Sequence, residues 1–62
     1  MSPEAARRYF QRLADARRAR AAAARREAKT TTDPKLKSAL EDLAQVYDRQ
    51  VMSYEMRRDE VK

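Results

Sequence analysis

Glycine, cysteine, histidine and tryptophan are all absent from this chain, and proline occurs only twice. Without cysteine and histidine, the chain has neither a disulfide framework nor the ligands of the usual zinc sites. The same absences remove the thiol nucleophile and the side chain best suited to proton transfer near neutral pH. Without glycine, no phosphate-binding glycine loop can form. We therefore expect a protein that is not an enzyme and that has no cofactor and no metal.

Long apolar runs are missing as well. No apolar window of the sequence approaches the roughly 20 residues that span a bilayer, and residues 1–4 lack the apolar run of a secretory signal. We therefore expect a cytoplasmic protein with no membrane span. With 62 residues, the chain has room for one small domain, and a core of this size is marginal.

Charge is plentiful but unevenly distributed. Charged residues make up 40% of the chain, and the formal net charge is +5. Residues 1–29 carry nine basic and three acidic groups, a net charge of +6, whereas residues 30–62 carry six basic and seven acidic groups, a net charge of −1. A basic half is typical of proteins that bind nucleic acid, an anionic membrane or an acidic partner, and equally of a solvated helix face.

Two long segments have the composition of helices, and one short segment separates them. Residues 3–29 and 34–60 contain no internal glycine or proline and are rich in strong helix formers. Ser2-Pro3 and Asp33-Pro34 each combine an N-cap residue with proline at the first helical position. The sequence therefore predicts one helical hairpin over residues 1–62, with a turn at 30–33. Since glycine is absent, we expect the first helix to end without a left-handed cap.

The predicted fold class is all-α, a two-helix antiparallel hairpin. A turn centred near Thr31 and Thr32 would place Arg20 opposite Leu43 and Ala28 near Leu36. The apolar stripe of the first helix is mostly alanine, whereas that of the second helix has large residues at near-heptad spacing. The second helix therefore brings more apolar surface than the first can cover.

This imbalance predicts a partner. We expect dimerisation to complete a four-helix bundle, or docking onto another protein to cover the same stripe. Such a chain would be a protein–protein interaction module and most simply a homodimer. The predicted interface residues are Tyr9, Phe10, Leu13, Leu36, Leu40, Leu43, Tyr47, Val51 and Tyr54.

The alternative function is nucleic-acid binding through the first helix, because arginines along a helix can contact a phosphate backbone. Arg17 and Arg20 lie within or beside the apolar stripe, where two roles are open. Their stems can pack on the second helix and their guanidinium groups can pair with Glu41, Asp42 or Asp48, or they can anchor a phosphate or carboxylate. The predicted nucleic-acid contacts are Arg7, Arg8, Arg12, Arg18, Arg25 and Arg26.

Three segments carry a family resemblance: Tyr9-Phe10-x-Arg12-Leu13-Ala14, Thr32-Asp33-Pro34 and Leu40-x-x-Leu43-Ala44-x-x-Tyr47. Together they resemble a group of short, uncharacterised helical-hairpin proteins common in some Gram-negative bacteria. In that group a glutamate often follows the Asp-Pro pair and completes a capping box, whereas this chain has Lys35. The resemblance implies a hairpin and no particular activity.

Overall fold

The computed structural model describes residues 2–62, which form two antiparallel α-helices and no β-strand. Helix α1 spans Pro3–Thr30 and helix α2 spans Pro34–Glu60. The hairpin measures 47 × 13 × 12 Å, as expected for helices of 28 and 27 residues packed side by side. The predicted helical hairpin is thus confirmed. Helix α1 ends one residue later than predicted, because Thr30 completes its last turn.

Each helix begins at the predicted cap. The Ser2 hydroxyl accepts a hydrogen bond of 3.1 Å from the Ala5 N–H, and an Asp33 carboxylate oxygen accepts one of 3.0 Å from the Lys35 N–H. Proline follows both caps, where its missing N–H leaves no donor unpaired. The side chains before the two prolines therefore define where the helices start.

The hinge reverses the chain without glycine. Thr31 and Asp33 have extended backbone angles, and no residue in 2–62 has a positive φ. The Thr31 N–H donates to the Glu27 carbonyl, and the Thr31 hydroxyl accepts from the Asp33 N–H at 3.3 Å. The absence of a left-handed cap is therefore confirmed, and threonine and aspartate side chains take up part of its hydrogen-bonding role.

Small side chains fill the seam between the helices. No large side chain in residues 2–62 is fully buried. Successive seam positions are three, four or seven residues apart, the spacing of an antiparallel coiled coil. The buried residues are Ala14, Ala21, Ala24 and Ala28 in α1 and Leu40, Ala44 and Val51 in α2.

The face that α2 turns toward α1 differs from the expected one. Ala24 and Ala28 cluster with Leu40 and Ala44, so α2 turns Ala44 rather than Leu43 toward α1. Leu43 is exposed. The seam therefore contains Ala44 instead of Leu43, and the predicted placement of Arg20 opposite Leu43 and of Ala28 near Leu36 stays a prediction. Placing alanine opposite alanine lets the two backbones approach closely, and this packing takes precedence over burying the larger leucine.

Candidate interaction surfaces

One side of the hairpin is closed by ion pairs between the helices. Arg18 contacts Glu55 at 2.8 Å, and Arg25 pairs with Asp48. The two arginines are seven residues apart, as are the two carboxylates, so the pairs repeat once per heptad along the same side. The alanine seam brings the helices close together, so that the long side chains of α1 can reach the carboxylates of α2. We call this side of the hairpin the charged side.

The ion pair between Arg25 and Asp48 shifts the pKa of both side chains. The hydrogen bond that the Arg25 guanidinium donates lowers the pKa of Asp48, and the same bond raises the pKa of Arg25. In addition, the Nε–H of Arg58 donates to Asp59 at 2.9 Å and lowers the pKa of that carboxyl. These carboxylates therefore stay ionised to lower pH than isolated ones.

Different arginines from those expected make the cross-hairpin pairs. Pairing with Glu41, Asp42 or Asp48 was one of the roles open to Arg17 and Arg20, but Arg18 and Arg25 form the bridges. Arg17 lies on the seam instead, half-buried between Ala14 and Ala21. The change from Arg17 to Arg18 follows from the rotation of α1, which turns its alanines inward.

Arg17 belongs to a polar layer within the seam. Its Nε atom and the Oε1 atom of Gln50 are buried, and neither has a hydrogen-bond partner within residues 2–62. Ala24 of α1 and Ala44 of α2 pack together in the seam. Arg17 lies seven residues before Ala24, and Val51 lies seven residues after Ala44, so these two are at the same level of the antiparallel seam. Gln50, next to Val51, is therefore at the level of Arg17. A buried donor and a buried acceptor thus lie at one level of the seam.

The opposite side of the hairpin carries exposed apolar side chains. Leu36, Leu43 and Val46 of α2 are 45%, 41% and 42% exposed. They lie on the side of α2 that points away from Asp48 and Glu55. The corresponding side of α1 carries Tyr9, Leu13, Ala16 and Ala23. We call these seven residues the apolar face.

The nine predicted interface residues divide between the seam and the surface. Two are buried within the hairpin, Leu40 and Val51. Four are half-buried: Phe10, Leu13, Tyr47 and Tyr54. Three are exposed: Tyr9, Leu36 and Leu43. Val46 was not among the predicted residues. Its position three residues after Leu43 is the sequence signal that would have placed it on the same face.

The six arginines predicted to contact nucleic acid also have different environments. Arg18 and Arg25 are held by carboxylates, and Arg7 donates to the Val61 carbonyl at 3.1 Å. The remaining three make no ion pair within residues 2–62 and are exposed on the side of α1 that points away from α2. With the exposed Lys29 they form the outer basic stripe, which consists of Arg8, Arg12, Arg26 and Lys29.

Two methionines form a separate exposed patch on α2. Met52 and Met56 are 63% and 61% exposed and lie on the outer side of the helix, beside Arg49. They point away from both the seam and the apolar face. Substitutions at these positions therefore serve as controls for substitutions in the apolar face.

An open groove of about 250 Å³ lies near the hinge, between the C-terminal end of α1 and the N-terminal end of α2. Arg25, Lys29 and Lys37 line it, and Glu41 lies among these cations. Arg25 is already engaged by Asp48, so the groove offers two lysines beside a carboxylate. Glu41 offsets the positive charge of these lysines, and Lys29 belongs to the outer basic stripe as well.

Comparison of the chain with protein-family models, curated proteins and solved structures finds no significant match. The resemblance to short bacterial helical-hairpin proteins therefore stays a prediction. Neither helix in the described part of the chain is long and apolar enough to cross a membrane.

Proposed function

We propose that this chain is a non-enzymatic interaction module whose apolar face joins it to a second copy of itself. The observation that carries the proposal is the exposure of Leu36, Leu43 and Val46 on one side of the hairpin. Several large apolar side chains exposed on one side of a helix are typical of an interaction site. Two hairpins joined at this face would form a four-helix bundle.

The shape of the apolar face suits a second copy. Its α2 half carries the large Leu36 and Leu43. Its α1 half carries the small Ala16 and Ala23, with the large Tyr9 and Leu13 confined to the N-terminal part of α1. A two-fold axis can place the leucines of each copy on the alanines of the other, because a symmetric interface must be complementary to itself. Within the hairpin, Leu40 already packs with Ala24 and Ala28 in this way.

The charge of the apolar face also permits self-association. The chain as a whole carries a net charge of +5, which would repel a second copy. On this side of the hairpin, however, the charged residues are Arg20, Arg57, Glu27 and Glu60, two of each sign with a net charge of zero. Two copies can therefore meet here without the repulsion that the rest of the surface would cause.

The carboxylates on the charged side support a non-enzymatic role. Asp48 and Glu55 share one face of α2, where two carboxylates could in principle act as acid and base. Each is instead paired with an arginine of α1, and the pKa of Asp48 is lowered. The Asp48 carboxylate, held in the ionised form by Arg25, is poorly suited to donating a proton at neutral pH.

Sedimentation equilibrium at micromolar concentration tests the proposed dimer. We expect the unmodified chain to be a dimer and Leu43→Ala to weaken the dimer at least tenfold, because each copy loses buried leucine surface at about 2 kcal/mol per side chain. Leu36→Glu with Leu43→Glu should abolish it, since the interface would then bury unpaired charges.

Met52→Glu with Met56→Glu is the matched control, because it adds two negative charges to the outer side of α2. This control should leave the dimer intact. A folded monomer for the unmodified chain, or equal weakening by the methionine and leucine substitutions, would refute the proposal.

A further inference from the structure

We infer that the outer basic stripe of α1 binds the phosphate backbone of double-stranded nucleic acid. Arg8, Arg12, Arg26 and Lys29 are exposed and make no ion pair or hydrogen bond within residues 2–62. Their guanidinium and ammonium groups are therefore available to an external anion. Arginine suits phosphate in particular, because its fork can donate two parallel hydrogen bonds.

The spacing of the stripe fits an extended polyanion better than a single small anion. Arg8 and Arg12 lie one turn apart near the start of α1, and Arg26 and Lys29 lie one turn apart near its end. At 1.5 Å per residue the stripe is about 32 Å long. This length is close to one helical turn of a duplex, roughly 34 Å. A straight α1 can therefore contact phosphates at two places along one duplex.

The carboxylates of the hairpin leave the stripe strongly positive. Within Pro3–Thr30, Asp15 lies between the two basic pairs and is engaged by Arg18 at 3.1 Å and by the Gln11 amide at 2.9 Å. Glu4 lies one turn before Arg8 and is the carboxylate of α1 that stays beside the stripe without an ion pair within residues 2–62. Glu55 and Asp48 are held on the charged side by Arg18 and Arg25. The ion pairs thus neutralise carboxylates that would otherwise offset the stripe.

The residues between the basic groups favour a duplex over other polyanions. Ala19 and Ala22 separate the two basic pairs, so the stripe has no aromatic platform on which single-stranded bases could stack. The same alanines bury too little apolar area to anchor the helix in an anionic membrane. Contacts limited to phosphate imply binding with little sequence preference.

The stripe and the apolar face lie on different sides of α1, so phosphate binding does not depend on the proposed dimer. The test is fluorescence anisotropy of a mixed-sequence DNA duplex two turns long, titrated with the chain over a range of salt concentrations. The stripe variant carries Arg8→Gln, Arg12→Gln and Arg26→Gln. Glutamine has nearly the helix propensity of arginine, and circular dichroism confirms that each variant is folded.

The matched control removes the same charge from elsewhere, with Lys35→Gln, Arg49→Gln and Lys62→Gln. We expect the stripe variant to lose at least tenfold in affinity at about 50 mM salt, and its slope of log affinity against log salt to fall by roughly 2.7. Arg12→Gln alone should lower the slope by about 0.9. The control should lose far less.

Three results would overturn the inference. The first is no binding of the duplex by the unmodified chain at about 50 mM salt. The second is equal loss in the stripe variant and its charge-matched control, which would mean attraction by net charge alone. The third is tighter binding to vesicles containing anionic phospholipid than to the duplex, which would assign the stripe to a membrane surface.

Discussion

At the scale of single residues, the alanines of the seam determine how closely the two helices approach. Ala14 and Ala44 are completely buried, and Ala21 is 1% exposed. An alanine seam brings the backbones together but buries little apolar area per residue. The hairpin therefore has a well-defined seam and, at the same time, leaves larger apolar side chains on its surface.

The close approach can be tested by enlarging one seam residue. Ala21→Leu should lower the free energy of unfolding by about 1–3 kcal/mol, because the extra atoms must push the helices apart. Ala22 is the next residue and is exposed, so Ala22→Leu should change the free energy of unfolding by less than about 0.5 kcal/mol. Urea denaturation measures both, and equal stability of the two variants would mean that the seam is loosely packed.

At the scale of the two helices, ion pairs between long side chains hold α1 and α2 in one axial position. Arg18 and Arg25 of α1 reach Glu55 and Asp48 of α2 on the same side of the seam. Exposed ion pairs add little stability one at a time. Because both pairs recur at the heptad spacing, however, a shift of one helix along the other would break both.

The Asp48 ion pair predicts how stability depends on pH. The pKa of Asp48 is lower in the folded chain than its ordinary value, so the contribution of the pair is complete above about pH 3.9. It is lost as the pH falls through the folded pKa, because the unfolded chain then binds more protons. Asp48→Asn should therefore be less stable than the unmodified chain at neutral pH and should approach it in strong acid.

Urea denaturation midpoints measured from pH 7 down to pH 2 test this prediction. Asp42→Asn is the control, because Asp42 is exposed and makes no ion pair within residues 2–62. It should follow the pH dependence of the unmodified chain. A constant difference between Asp48→Asn and the unmodified chain at every pH would show that the ion pair is not the cause.

The hinge, at the scale of the whole molecule, determines whether the chain is a hairpin or a rod. Thr31, Thr32 and Asp33 are the residues between the helices, and the hairpin they allow is 47 Å long. Threonine and a residue before proline both disfavour continued helix. All packing between α1 and α2, and hence the apolar face, depends on this turn.

Replacing the hinge by helix formers should open the hairpin. Thr31→Ala, Thr32→Ala, Asp33→Glu and Pro34→Ala together should favour one continuous helix of roughly 90 Å at 1.5 Å per residue. Small-angle scattering would detect the longer maximum dimension. A variant that kept the compact dimensions of the parent would show that packing at the seam, rather than the hinge, determines the reversal.

The sequence by itself determined the two helices and where they begin. Ser2-Pro3 and Asp33-Pro34 act within one turn of the backbone, and neither helix contains an internal glycine or proline. These signals are local, so they can be interpreted without knowledge of packing. The single difference in helix bounds, the inclusion of Thr30, lies at a helix end, where local signals are weakest.

Only the tertiary structure decided which residues meet. The choice of Ala44 over Leu43 for the seam, and of Arg18 over Arg17 for the ion pair, depends on the rotation and axial position of each helix. Both are set by contacts between residues far apart in sequence, and adjacent residues differ by only 100° around a helix. The same rotation brings Leu36, Leu43 and Val46 to the surface and turns the outer arginines of α1 toward solvent.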